Sequence, residues 1–107
     1  MAALEASLIL NGSSIAASAN YDIKVDDRQC STINATWTST TASHSLQLQY
    51  SFDGSTYIND GSAQAISNNS GSKTWAPTYV APYYRVANTR TSGTLTTLVI
   101  HACYKPF

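Results

Sequence analysis

Between His44 and Asn59 apolar and polar residues alternate with a period of two. Leu46, Leu48, Tyr50 and Phe52 fall between Ser45, Gln47, Gln49 and Ser51. That alternation puts the four apolar side chains on one face of a β-strand. Asp53-Gly54 follows at once, and a type I′ turn favours such a pair because both central residues need φ > 0. With those two residues alone in the loop, Tyr57 stands opposite Tyr50 and Asn59 opposite Leu48. Tyr57 is then on the buried face and Thr56 outside. A bulged loop would move the register by one residue and reverse the assignment.

The same reading runs along the rest of the chain. Leu8-Ile9-Leu10 is a short apolar strand closed by the turn pair Asn11-Gly12, and Ile15-Ala16-Ala17 continues as a second one. Tyr21, Ile23 and Val25 alternate with Asp22, Lys24 and Asp26, a half-buried strand whose charged outer face suits a sheet edge. Asp26-Asp27-Arg28 reads as a turn. Cys30 to Thr38 is the next strand, with Ile33, Ala35 and Trp37 on one face and Thr32, Asn34, Thr36 and Thr38 on the other. Thr forms strands as well as the apolar residues do. The short Ser39–Ser43 connection makes this strand the expected antiparallel neighbour of the central one.

Beyond Asp60-Gly61-Ser62, a turn, Ala63–Ile66 reads as a short strand and Ser67–Ser72 as a loop. Lys73-Thr74-Trp75 re-enters the fold. Pro77 and Pro82 cannot donate to a ladder, so the segment they bound belongs at an edge or corner. Tyr83–Asn88 is a strand, Thr89–Gly93 a hairpin loop, and Thr94–Tyr104 the longest strand. Being apolar on both faces, that last strand is expected mid-sheet and covered on both sides. Lys105-Pro106-Phe107 ends the ladder. Seven to nine short strands, regular turn signals and no helical period predict an all-β chain: a single antiparallel β-sandwich of Ig-like or jelly-roll type. Its 107 residues make one domain, with residues 1–20 as a candidate N-terminal docking arm.

Composition narrows the function. Six basic residues balance six acidic ones, and charged residues are only 11% of the chain. Nucleic-acid affinity rests on clustered Lys and Arg, and here the bases are scattered singly, so no nucleic-acid partner is expected. No run approaches the length of a membrane span, and the first residues carry no basic segment of a signal peptide. A surface kept soluble by Ser, Thr and Asn has little like-charge repulsion and tolerates close packing against other protein. Cys30 and Cys103 are the only cysteines. They read as small buried hydrophobes, with an inter-strand disulfide as the alternative if their strands are neighbours.

Catalytic patterns are sparse. His44 and His101 lie outside any metal-spacing motif, Glu5 is the only glutamate, and Asp26, Asp27, Asp53 and Asp60 fit turns. No Asp-x-Asp-x-Asp loop suggests calcium. No catalytic residue, metal site or cofactor is therefore predicted. Seven Tyr and two Trp against two Phe favour side chains with an apolar body and a polar tip, which anchor interfaces and stack on sugars. Trp37 reads as core. Trp75, Tyr79 and Tyr83 are expected to form an exposed aromatic patch, with an end cap of mutually packed rings as the alternative. Arg85, beside Tyr83, reads as an ordinary solvated strand position, with stacking on an aromatic face or pairing with an acid as the alternative.

The succession Trp37, Leu46-Gln-Leu-Gln-Tyr-Ser51-Phe-Asp53-Gly54-Ser-Thr-Tyr57, Tyr84-Arg85-Val86 and Ser92-Gly93-Thr94-Leu95 resembles small β-sandwich virion proteins of tailed bacteriophages. The resemblance spans roughly residues 30–102, with Tyr57 where that group usually has Trp. It implies a non-enzymatic structural role as head decoration, neck or tail component, or fibre module. The expectation is a capsid decoration or cement protein of the virion, assembled in the host cytoplasm. Its partners would be major capsid or tail proteins, and it would be homo-oligomeric or multi-copy. Leu8, Ile9, Leu10, Trp75, Tyr79 and Tyr83 are the candidate interface residues. The alternative is a glycan-binding or adhesion module of a tail or fibre, with Trp75 and Tyr79 as the stacking platform.

Overall fold

The computed structural model of the chain describes residues 5–23, 25, 28–39 and 41–106, with the backbone alone at Glu5, Arg28 and Pro106. Nine strands and no helix occur among the described residues. One sheet runs β1 (Glu5–Ile15), β9 (Leu95–Pro106), β3 (Arg28–Thr38) and β7 (Gly71–Trp75). The other runs β2 (Ala19–Ile23), β8 (Tyr83–Ser92), β4 (Ser43–Ser51) and β5 (Ile58–Asn59), with β6 (Gln64–Ser67) further along the same edge of β4. Every pairing is antiparallel.

The two-residue alternation explains the layers. Ile33, Ala35 and Trp37 of β3 and Leu98, Ile100 and Ala102 of β9 point inward from the first sheet. They meet Leu46 and Leu48 of β4 and Tyr84 and Val86 of β8, all buried. Each such large side chain removed from water contributes about 1.5–3 kcal/mol before ordering costs are counted. The charged strand Tyr21–Ile23 is an edge, as its outer charges suggest.

The structure reassigns several connections. The strand ending at Thr38 and the central strand β4 belong to different sheets. The chain crosses between the sheets after Ser39, where Ala42 N–H donates to Ser39 Oγ (3.0 Å) and Ala42 is wholly buried. Thr89–Gly93 is likewise no hairpin: β8 continues to Ser92, and the chain crosses to the first sheet at Gly93-Thr94. Asn11-Gly12 does not turn, because β1 pairs with β9 from Glu5 to Ile15, interrupted only by a bulge at Ile9. The stretch expected as a docking arm is thus, from Glu5 to Ile15, an edge strand of the sandwich. β9 does lie mid-sheet, but only its inner face is covered; His101 on the outer face is exposed. The turn expected at Asp26-Asp27 lies outside the described residues.

Candidate functional site

Ser51 and Asp53 shape one end of the second sheet. Ser51 is fully buried, and its hydroxyl accepts the N–H of Gly54 (2.9 Å) while donating to Asp53 Oδ1 (2.9 Å). The same carboxylate oxygen accepts the N–H groups of Ser55 and Thr56, each at 2.8 Å. These donors stabilise the ionised form and hold the Asp53 carboxyl at about 2, with the Thr56 N–H the largest influence, then that of Ser55, then the Ser51 hydroxyl. Asp53 therefore winds a wider loop, Phe52–Tyr57, in place of the two-residue turn.

That winding moves the register by one residue. Ile58 faces Tyr50 and Asn59 faces Gln49. Tyr57 consequently goes to the outer face, where the Arg85 guanidinium carbon sits 3.8 Å from its ring centroid. Phe52, expected in the core, is 63% exposed because β4 ends at Ser51.

Around Tyr50 an apolar surface results. The Phe52 ring meets Tyr50 edge-on at 5.7 Å, Tyr79 lies 5.3 Å from it, and Ile58 is its cross-strand neighbour. Phe52, Ile58, Tyr79 and Val80 are all exposed. The segment carrying Tyr79 and Val80 is fastened from beneath. Buried Asp60 accepts Thr78 N–H (2.8 Å) and the Thr78 hydroxyl (2.6 Å). The Tyr84 hydroxyl accepts Ala81 N–H at 2.9 Å and donates to Tyr79 O, and burial pushes its pKa up.

Behind this surface, on the outer face, Arg85 Nε donates to Gln49 Oε1 (2.7 Å), and Gln49 Nε2 donates to Asn59 Oδ1 (2.9 Å). Asp22 is the cross-strand partner of Arg85 in the register. A groove of about 500 Å³ opens beside them, lined by Asp22, Gly54, Tyr57, Pro82 and Tyr83 among others.

The residues singled out from sequence do not form one patch. Leu8 is exposed on the outer face of the first sheet, while Ile9 at the bulge and Leu10 pack partly against the core. Trp75 is only 5% exposed: it pairs with Ile33 across the sheet, and its Nε1–H donates to Ser62 O at 3.2 Å. It therefore belongs to neither an exposed patch nor a sugar platform. Tyr79 and Tyr83 are exposed, Tyr79 on the Tyr50 surface and Tyr83 in the groove. Sequence reasoning missed Phe52 and Ile58; the signal for them was Ser51, two residues before Asp53-Gly54, able to end the strand early.

Cys30 and Cys103 are free thiols. A bulge at Ser31 pairs Cys30 with inward Tyr104 and Cys103 with outward Thr32, so the thiols sit on opposite faces. Burial, and secondarily Cys103 nearby, push the Cys30 thiol up to about 12. His44 is buried, and its Nδ1 lies 3.0 Å from Asn88 Oδ1, while Asn88 Nδ2 donates to Ala17 O. That arrangement ties β4 and β8 to the chain before β2, a structural use of the histidine.

These features define a two-sheet antiparallel sandwich with an aromatic surface at one end. Three solved structures share the fold. The exported protein XepA of PBSX matches with a TM-score of 0.63 at 13% identity over 96% of this chain. The match takes in 37% of that protein, so this chain spans little more than a third of it. A structure of Bacillus endospore appendages, described as disulfide-linked pili, matches with a TM-score of 0.56 at 13% identity, over 98% of this chain and 88% of that one. The CBM32 of AlyQ, solved with 4,5-unsaturated mannuronic acid, gives 0.54 at 11% identity, over 86% of this chain and 74% of that one. At such identities the likeness is one of fold. No family model matches the chain, and no curated protein matches its sequence.

Proposed function

We propose that this chain is a non-enzymatic structural protein of a bacteriophage particle, seated on neighbouring shell or tail subunits through the surface around Tyr50. The observation that carries the reading is the exposed, pre-ordered group Phe52, Ile58, Tyr79 and Val80. Aromatic anchors that are already fixed lose little freedom on docking, which is how a small patch becomes an interface hot spot. The chain's zero net charge and its low content of charged residues, 11%, favour close packing in an assembly. The likeness of fold to a PBSX exported protein and to Bacillus endospore appendages is compatible with such a role. Decoration of the head is the form of it we favour.

Mass spectrometry of purified particles tests the role, and the chain is expected there in many copies. Phe52→Ser combined with Tyr79→Ser should weaken rebinding to particles stripped of the protein by about tenfold or more, with an unchanged β-spectrum. Absence of the chain from the particles would refute the reading.

A further inference from the structure

We propose that the groove between β2 and the Phe52–Tyr57 loop binds a neutral pyranose sugar, a function separate from the docking surface around Tyr50. The groove's volume, about 500 Å³, falls within the range of small-ligand sites. Two tyrosines line it, Tyr57 and Tyr83, the latter 45% exposed. A pyranose presents an apolar C–H face that stacks on such rings and a rim of hydroxyls that need acceptors.

Asp22 supplies the acceptor. Its side chain is exposed in the groove, and no described residue hydrogen-bonds to or pairs with its carboxylate. An ionised carboxylate accepts from two adjacent hydroxyls, one at each oxygen, in charge-assisted bonds. Gly54 permits the close approach of loop and ring: a Cβ there would lie 3.2 Å from Tyr83 Cζ.

An aromatic pocket with a carboxylate also suits a quaternary ammonium. Arg85 decides against it. Its guanidinium already occupies one face of the Tyr57 ring, 3.8 Å from the centroid. A second cation against the same ring would meet like-charge repulsion, whereas a neutral sugar would not. Arg85 instead acts as a positioning residue: bonded to Gln49, it holds the Tyr57 ring in place for the sugar.

The test is a titration of the ¹⁵N-labelled full chain with methyl pyranosides of the gluco, galacto, manno and N-acetylglucosamine series, and separately with choline chloride. At least one pyranoside should shift the amides of Asp22, Gly54, Tyr57 and Tyr83, saturating at about 1 mM, an affinity ordinary for a single sugar ring. Asp22→Asn, on an exposed edge strand, should leave the spectrum of the fold intact and weaken binding about tenfold. Tyr83→Ala should do the same, and Leu8→Ser, exposed on the outer face of the first sheet, should leave sugar affinity unchanged. The proposal is overturned if no pyranoside moves the groove amides, if choline alone moves them, or if Asp22→Asn binds as tightly as the parent. None of these outcomes bears on whether the chain is found in particles.

Discussion

Asp53 shows how one side chain can replace a turn type. Its carboxylate gathers two backbone N–H groups and the Ser51 hydroxyl, and its folded-state pKa falls to about 2. A depressed carboxyl contributes stability that is full above the unfolded value of about 3.9 and is lost as pH falls through the folded value. Protection of the Ser55 and Thr56 amides, taken against the unstructured-peptide exchange rate at each pH, should therefore hold down to about pH 3 and fall towards pH 2; in Asp53→Ala it should be absent throughout. Cysteine chemistry follows burial in the same way. With its thiol pushed up to about 12, Cys30 should resist iodoacetamide at pH 8 in the native state, and Cys103, half-buried on the outer face, should be alkylated first. Peptide mass spectrometry reads the order. Two glycines with nearly the same backbone differ sharply in what surrounds them. Gly93 (φ 74°) and Gly61 (φ 75°) both occupy the left-handed region. A Cβ on Gly93 would collide with the Thr41 carbonyl oxygen and Ala42 Cα, whereas one on Gly61 meets only Trp75 Cδ1 at 3.9 Å. Gly61→Ala should cost about 1–2 kcal/mol in urea unfolding, and Gly93→Ala upwards of about 3 kcal/mol.

At the scale of elements, the central strand was the most legible part of the chain, and its partner the least. Leu46, Leu48 and Tyr50 do share the buried face, and Leu48→Ala should cost about 2–5 kcal/mol because the side chain is wholly buried. The pairing of β5, however, is fixed by the number of residues the loop consumes, and Asp53 and Ser51 set that number through bonds that period-two reading does not include. The register can be checked by cross-linking in a Cys30→Ala, Cys103→Ser background. Gln49→Cys with Asn59→Cys should oxidise to a disulfide, since those positions face each other. Gln49→Cys with Ile58→Cys, the pair a two-residue turn would oppose, should not. Trp75 illustrates the converse error. Its place close to Tyr79, Tyr83 and the prolines suggests an exposed aromatic patch, yet β7 lies against β3 and carries the indole over Ile33.

For the whole molecule, the surfaces open to contact among the described residues differ in chemistry. The end around Tyr50 is apolar and fastened by Asp60 and Tyr84. The adjoining groove is lined by tyrosines and the Asp22 carboxylate. The outer face of the first sheet is hydroxyl-rich, with Thr38 and Thr97 bonded across strands at 2.7 Å and Asn34 donating to Thr74 at 2.8 Å. Alternation along the chain was enough to determine an all-β molecule, most of its strands and the inward residues of each, because a strand's period is a property of its own backbone. It also marked β2 as an edge through its charges. Which sheet each strand joins, where Phe52 and Trp75 come to lie, and that Asp22, Tyr57 and Tyr83 share one groove were decided only in three dimensions. The connections after Ser39 and at Gly93-Thr94 read locally like returns to a neighbouring strand, and only the burial of both inner faces against each other selects a crossing.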